Sequence, residues 1–165
     1  AAYLAGAREQ HIEKAITTFS GLAHRLEFVR EVNGVRYYND SKATTPESSI
    51  AAITAFQAQI ILIAGGYDKG SSFEEFAGEC AQHTKTVVLI GKTAGKIKEL
   101  ILKKKGSGEI PSIFMLKTFE EAFRQANALA KAGDVILLSP ACASYDMFLN
   151  YEERGRQFKD MIQAL

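Results

Sequence analysis

The side chains best suited to chemistry gather in a few short polar stretches. The richest is Asn39-Asp40-Ser41-Lys42-Ala43-Thr44-Thr45-Pro46, which packs a carboxylate, an amine and several hydroxyls into one turn. It follows a strand-like run and precedes a helical one. Thr45 as N-cap and Pro46 in the first turn explain part of it as a plain connector. They do not explain Asp40 beside Lys42. A helix N-terminus attracts anions through free N–H groups and its dipole, and Lys42 adds a point charge there. The stretch is read as a ligand-contacting turn.

Two further stretches compete for attention. Gly65-Gly66-Tyr67-Asp68-Lys69-Gly70 lacks the GxGxxG spacing of a dinucleotide loop, but Lys69 at a strand end can hold a carboxylate. Ser139-Pro140-Ala141-Cys142-Ala143-Ser144 offers the Ser144 hydroxyl and backbone N–H between small neighbours. A nucleophilic Cys142 would need a nearby base, and His11, His24 and His83 are placed by no motif, so Cys142 reads as a structural thiol. Ile90-Gly91-Lys92-Thr93 imitates the end of a phosphate-binding loop. The glycine that a GxxxxGK[ST] pattern requires is Thr86, so the motif fails and Thr93 is expected to cap the next helix. The scattered histidines and cysteines make no metal cluster, and no Ser-His-Asp order can be defended.

The elements that must position these loops are legible from periodicity. Ala7 to Phe19 is an amphipathic helix broken by Gly21. Leu26 to Val32 and Val35 to Tyr38 flank Asn33-Gly34, the pattern of a type I′ hairpin. Short apolar strands then alternate with helices. The strands are Gln59 to Ala64, Thr86 to Ile90, Ile113 to Leu116 and Asp134 to Leu138. The helices are Ser48 to Phe56, one opening at Ser72 and running to His83, Ala94 to Lys104, one opening at Thr118 and ending at Gly133, and Tyr151 to Leu165. Ser72-Phe73-Glu74-Glu75 and Thr118-Phe119-Glu120-Glu121 both match the capping box. Gly106-Ser107-Gly108 is a flexible loop. Strands without polar alternation, separated by helices, imply a mainly parallel sheet covered on both faces. The expected fold is a Rossmann-like three-layer α/β sandwich with an N-terminal β-hairpin. In such sheets ligands sit beyond the carboxyl ends of the strands, where all three polar loops fall.

Composition narrows the function classes. The 165 residues suit one domain, and 47% hydrophobic content supplies a core. The net charge of +1 gives no support for a nucleic-acid or acidic-membrane surface. Cys80 and Cys142 form no CxxC pair and read as buried, reduced thiols. The longest apolar run, Ile60 to Ala64, is far too short to span a bilayer. A soluble, cytoplasmic protein is expected. The chain opens on Ala1-Ala2-Tyr3 without Met, in keeping with a piece of a longer protein.

Three motifs taken together closely resemble one family. Gly21-Leu22-Ala23-His24-Arg25-Leu26-Glu27, Asn39-Asp40-Ser41-Lys42-Ala43-Thr44 and Ser139-Pro140-Ala141-Cys142-Ala143-Ser144 are similar, in order, to the D-glutamate-adding branch of the Mur ligase family. The resemblance implies a three-domain enzyme in which ATP, with Mg2+, phosphorylates the carboxylate of UDP-MurNAc-L-alanine. The amine of D-glutamate then attacks the acyl phosphate. Residues 1–20 would be the terminal helix of the central ATPase domain, and residues 21–165 the C-terminal domain. The N-terminal domain and the rest of the central domain would lie elsewhere in the same protein. The resemblance assigns Lys42, Thr44, Lys69, Ser144 and Tyr151 to D-glutamate. It assigns His24, Arg25 and Asp40 to ATP, with Arg25 reaching the phosphates and Asp40 holding the ribose or orienting Arg25. Tyr151 stands where the family tends to carry Phe, and Ala23 where Pro is common. On this reading the chain alone has no ligase activity. The alternatives are another Mur or folylpolyglutamate synthase-like ligase, or a nucleotide- or amino-acid-binding module without catalysis.

Overall fold

The computed structural model describes residues 3–104 and 110–165. The expected Gly106-Ser107-Gly108 loop lies outside them. The elements run α1 (Glu9–Thr18), β1 (Glu27–Val32), β2 (Val35–Asn39), α2 (Pro46–Ile53), β3 (Ile60–Gly65), α3 (Glu74–His83), β4 (Thr84–Ile90), α4 (Ala94–Lys103), β5 (Ser112–Met115), α5 (Phe119–Leu129), β6 (Val135–Leu138) and α6 (Tyr151–Gln163). Asn33 and Gly34 take φ of 51° and 78°, the doubly positive pair that a type I′ turn demands. They join β1 to β2 in the expected antiparallel hairpin.

The six strands lie in the order β1-β2-β6-β3-β4-β5, and every pair except β1–β2 is parallel. Residues of β3 alternate between two cores. Ile60, Leu62 and Ala64 pack with α2, α3 and α4, while Ile61 and Ile63 pack with α5 and α6. Both faces of the central strands β3 and β6 are therefore dry, which is why these strands carry no polar alternation. The result is the expected three-layer sandwich. Helix α1 stands apart, with none of its residues buried and Ile16 at 72% exposure.

Three local expectations fail for physical reasons. Helix α3 begins after Phe73 and lacks a side-chain cap, so the Ser72 capping box does not form. Phe73 is buried at the helix start and meets Phe76 edge-on. Sinking that ring contributes about 1.5–3 kcal/mol, more than a typical cap of about 1 kcal/mol. Helix α5 stops at Leu129, so Gly133, although at φ 94°, serves the following turn instead, and its N–H donates to Gly34 O at 2.8 Å. Thr93 does not cap α4. Its hydroxyl turns inward to accept from Gly66 N–H at 3.0 Å, beside the Cys142 thiol at 3.3 Å. The Thr118 capping box forms in full.

Candidate functional site

The topology gathers the three polar loops. Strands β2, β6 and β3 are consecutive neighbours, so the loops that follow them leave side by side from one sheet edge.

The loop after β2 is tied down almost atom by atom. Asp40 N–H continues the ladder to Leu138 O, Ala43 N–H closes a turn on Asp40 O, and Lys42 N–H donates to His24 O at 3.0 Å. The Asp40 carboxylate accepts from Leu26 N–H at 3.0 Å and from the Ser139 hydroxyl at 2.8 Å. Burial raises its pKa, against the hydrogen bonds and the charge of Arg25. Asp40 thus fixes the turn that carries Arg25, which itself is exposed.

His24 is buried at φ 63°. Burial lowers its pKa, with Lys159 adding to the effect. Its Nδ1 lies 2.9 Å from Asn39 Nδ2, which assigns the neutral tautomer protonated at Nε2. The ring fits only because α6 carries Gly155 opposite. A Cβ there would lie 2.1 Å from His24 Nδ1.

The loop after β3 is zipped to the loop after β6. Gly65 N–H donates to Pro140 O at 2.8 Å, and Tyr67 N–H to Ala143 O at 2.9 Å. Gly66 has φ 144°, and a Cβ on it would lie 2.4 Å from Ala143 O, so only glycine permits this approach. Asp68 receives Gly70 and Ser71 N–H and pairs with Lys96 at 2.8 Å, which leaves Lys69 exposed beside the turn.

Arg154, on α6, binds the arrangement together, and sequence reasoning missed it. It is 1% exposed, and its guanidinium donates to the Ser41 hydroxyl, Ser41 O and Cys142 O. The Ser41 hydroxyl in turn donates to Tyr151 O at 2.7 Å. A single side chain therefore registers the β2 loop, the β6 loop and the start of α6. Burial pushes its pKa down to about 10. A signal existed in the sequence: Arg154 shares the i, i+4, i+8 stripe of Phe158 and Ile162, both buried.

Between the loops lies a pocket of about 310 Å³ lined by Thr44, Lys69, Ala143, Ser144, Tyr145, Asn150, Tyr151 and Glu152. That volume suits a small ligand. Thr44, Lys69, Ser144 and Tyr151 thus meet on one wall system. Lys42 stands at the flank, its Nζ 5.7 Å from the centre of the Tyr151 ring. His24 meets the same ring edge-on at 6.0 Å, and Arg25 is near enough for its charge to act on both Asp40 and Tyr151. Cys80 and Cys142 are buried free thiols, their pKa values raised by burial, that of Cys142 to about 11. Among the described residues no three His, Cys, Asp or Glu side chains converge. Nor, among them, is any helix long and apolar enough to cross a membrane.

The fold is a Rossmann-like α/β domain with a pocket at the carboxyl edge of its sheet. The family described as Mur ligase, glutamate ligase domain, matches residues 24–142. A UDP-N-acetylmuramoylalanine–D-glutamate ligase of Caldanaerobacter subterraneus subsp. tengcongensis is 50% identical over 164 residues, covering 99% of this chain and 36% of that protein. The ligase of the same name from Thermoanaerobacter sp. is 51% identical over 164 residues with the same coverage. Among solved structures, a bifunctional folylpolyglutamate synthase/dihydrofolate synthase from Yersinia pestis, complexed with AMPPNP and Mn ion, superposes with a TM-score of 0.63. It covers 95% of this chain and 34% of that one at 14% identity, a likeness of fold. The chain belongs to the Mur ligase family and carries its glutamate ligase domain. It spans about 36% of the length of these curated relatives.

Proposed function

We propose that this chain is the C-terminal domain of a cytoplasmic, ATP-dependent ligase that joins D-glutamate to UDP-MurNAc-L-alanine in peptidoglycan precursor synthesis. The supporting observation is the convergence of Thr44, Lys69, Ser144 and Tyr151, from separate loops, on one pocket at the carboxyl edge of the sheet.

The chemistry follows from charge. D-glutamate carries two carboxylates and one amine. Lys69 on the rim and Lys42 at the flank offset the carboxylates, while the Thr44 and Ser144 hydroxyls supply directed hydrogen bonds. Holding the acid ends leaves the amine to face outward, toward an acyl phosphate made from the UDP substrate and ATP. Arg25 serves the ATP phosphates, steadied by Asp40 through Leu26 N–H and by buried His24. Closure onto the central domain would exclude water from the acyl phosphate. The Mg2+ that accompanies ATP would take its ligands from the other domains, and no catalytic residue is assigned to this chain. The isolated domain is therefore expected to turn over no substrate.

The test uses the full-length ligase. Lys42→Ala and Lys69→Ala should raise KM for D-glutamate roughly ten- to a hundredfold, the worth of one lost charge-assisted contact. Arg25→Ala should instead cut ATP-dependent acyl phosphate formation. A D-glutamate dependence unchanged in both lysine variants would sink the assignment. So would full turnover of ATP, D-glutamate and UDP-MurNAc-L-alanine by residues 1–165 alone.

A further inference from the structure

Tyr67 and Tyr145 pack edge-to-face, ring centres 6.4 Å apart, yet remain 40% and 67% exposed. Each comes from a different site loop, and Tyr145 lines the pocket next to Ser144. The backbone beneath them is hydrogen-bonded. Tyr67 N–H donates to Ala143 O at 2.9 Å in an isolated β-bridge, and Ser144 O accepts from Met147 and Phe148 N–H at 3.1 and 2.9 Å. Lys92 Nζ sits 5.6 Å from the centre of the Tyr67 ring. Nothing in the core uses these rings: neither belongs to either hydrophobic cluster.

We propose that Tyr67 and Tyr145 are the contact surface for the sugar–alanyl end of the acyl donor. This rests on the function proposed above. An amine held in the pocket attacks only when the acyl carbon comes within about 3–3.5 Å. The donor must therefore bring its alanyl group to the pocket mouth, and the muramoyl ring follows within a few bonds. Lys69 on the lining supplies a cation for the amino-acid carboxylates. The Tyr145 side presents an aromatic face, which complements the C–H face of a pyranose and an alanyl methyl, while its hydroxyl can meet a sugar hydroxyl. The division of labour is clear: lysines for the amino acid, the tyrosine pair for the glycan.

The experiment is steady-state kinetics on the full-length ligase, varying each substrate in turn. Tyr145→Ala should raise KM for UDP-MurNAc-L-alanine about tenfold, and Tyr67→Ala about threefold by releasing its partner ring. KM for D-glutamate should move less than twofold in both. Tyr145→Trp, which restores an aromatic face, should recover most of the loss. The inference is overturned if Tyr145→Ala leaves KM for the UDP substrate within twofold, or if the shift falls on D-glutamate instead. A wild-type ligase that does not depend on D-glutamate at all would refute the proposed function itself, which separates the two failures.

Discussion

Replacing Gly155 by Ala sets local and tertiary forces against each other. Gly155 lies inside α6, where helix propensity favours Ala by about 1 kcal/mol. The fold opposes it. The new methyl would lie 2.1 Å from His24 Nδ1, 2.7 Å from Cε1 and 3.1 Å from Asn39 Nδ2. The His24 ring must shift, which costs about 1–3 kcal/mol in overpacking. Its buried hydrogen bond with Asn39 is lost, at about 1–3 kcal/mol more. Subtracting the propensity gain leaves a net loss of about 1–5 kcal/mol. Gly78, inside α3, is the control, because a Cβ there meets nothing within 4 Å. Gly78→Ala should stabilise by up to about 1 kcal/mol. Urea unfolding followed by circular dichroism measures both. In a His24→Gly background the ring is gone, and Gly155→Ala should become neutral or favourable. If Gly155→Ala and Gly78→Ala shift the midpoint in the same direction, the account of His24 packing is wrong.

Two further outcomes follow from the buried groups. Arg154→Met strips Ser41 O, the Ser41 hydroxyl and Cys142 O of a donor, at about 1–3 kcal/mol each. It also removes a guanidinium whose pKa burial has pushed down to about 10, a relief of about 3 kcal/mol at neutral pH. Stability should thus fall by less than about 6 kcal/mol while amide exchange in the Ser41–Thr44 loop speeds up; a loss above about 7 kcal/mol, or unchanged exchange, contradicts this balance. Cys80 and Cys142 should both resist a thiol-specific disulfide reagent at pH 8 in the native protein, because burial raises both pKa values, that of Cys142 to about 11. Both should react once urea unfolds the chain, and rapid native labelling at Cys142 would contradict its burial.

The sequence alone determined the features that depend on near neighbours. The Asn33-Gly34 turn, the Thr118 capping box and the dry strands all follow from spacing of a few residues, where steric and capping forces act. It also marked the polar loops, since Asp40 beside Lys42 and Lys69 after a glycine pair stand out by residue type. Local pattern misled at Ser72, Thr93 and Gly133, where a buried ring, an inward hydroxyl and a turn contact with the hairpin outweighed the expected cap. Only the tertiary structure decided that β6, last in the chain, lies between β2 and β3. Periodicity is blind to strand order, because pairing is chosen by contacts about a hundred residues apart, such as Tyr38 beside Leu137. That insertion brings Thr44, Lys69 and Ser144 to one pocket, and it gives Arg154 two loops to hold.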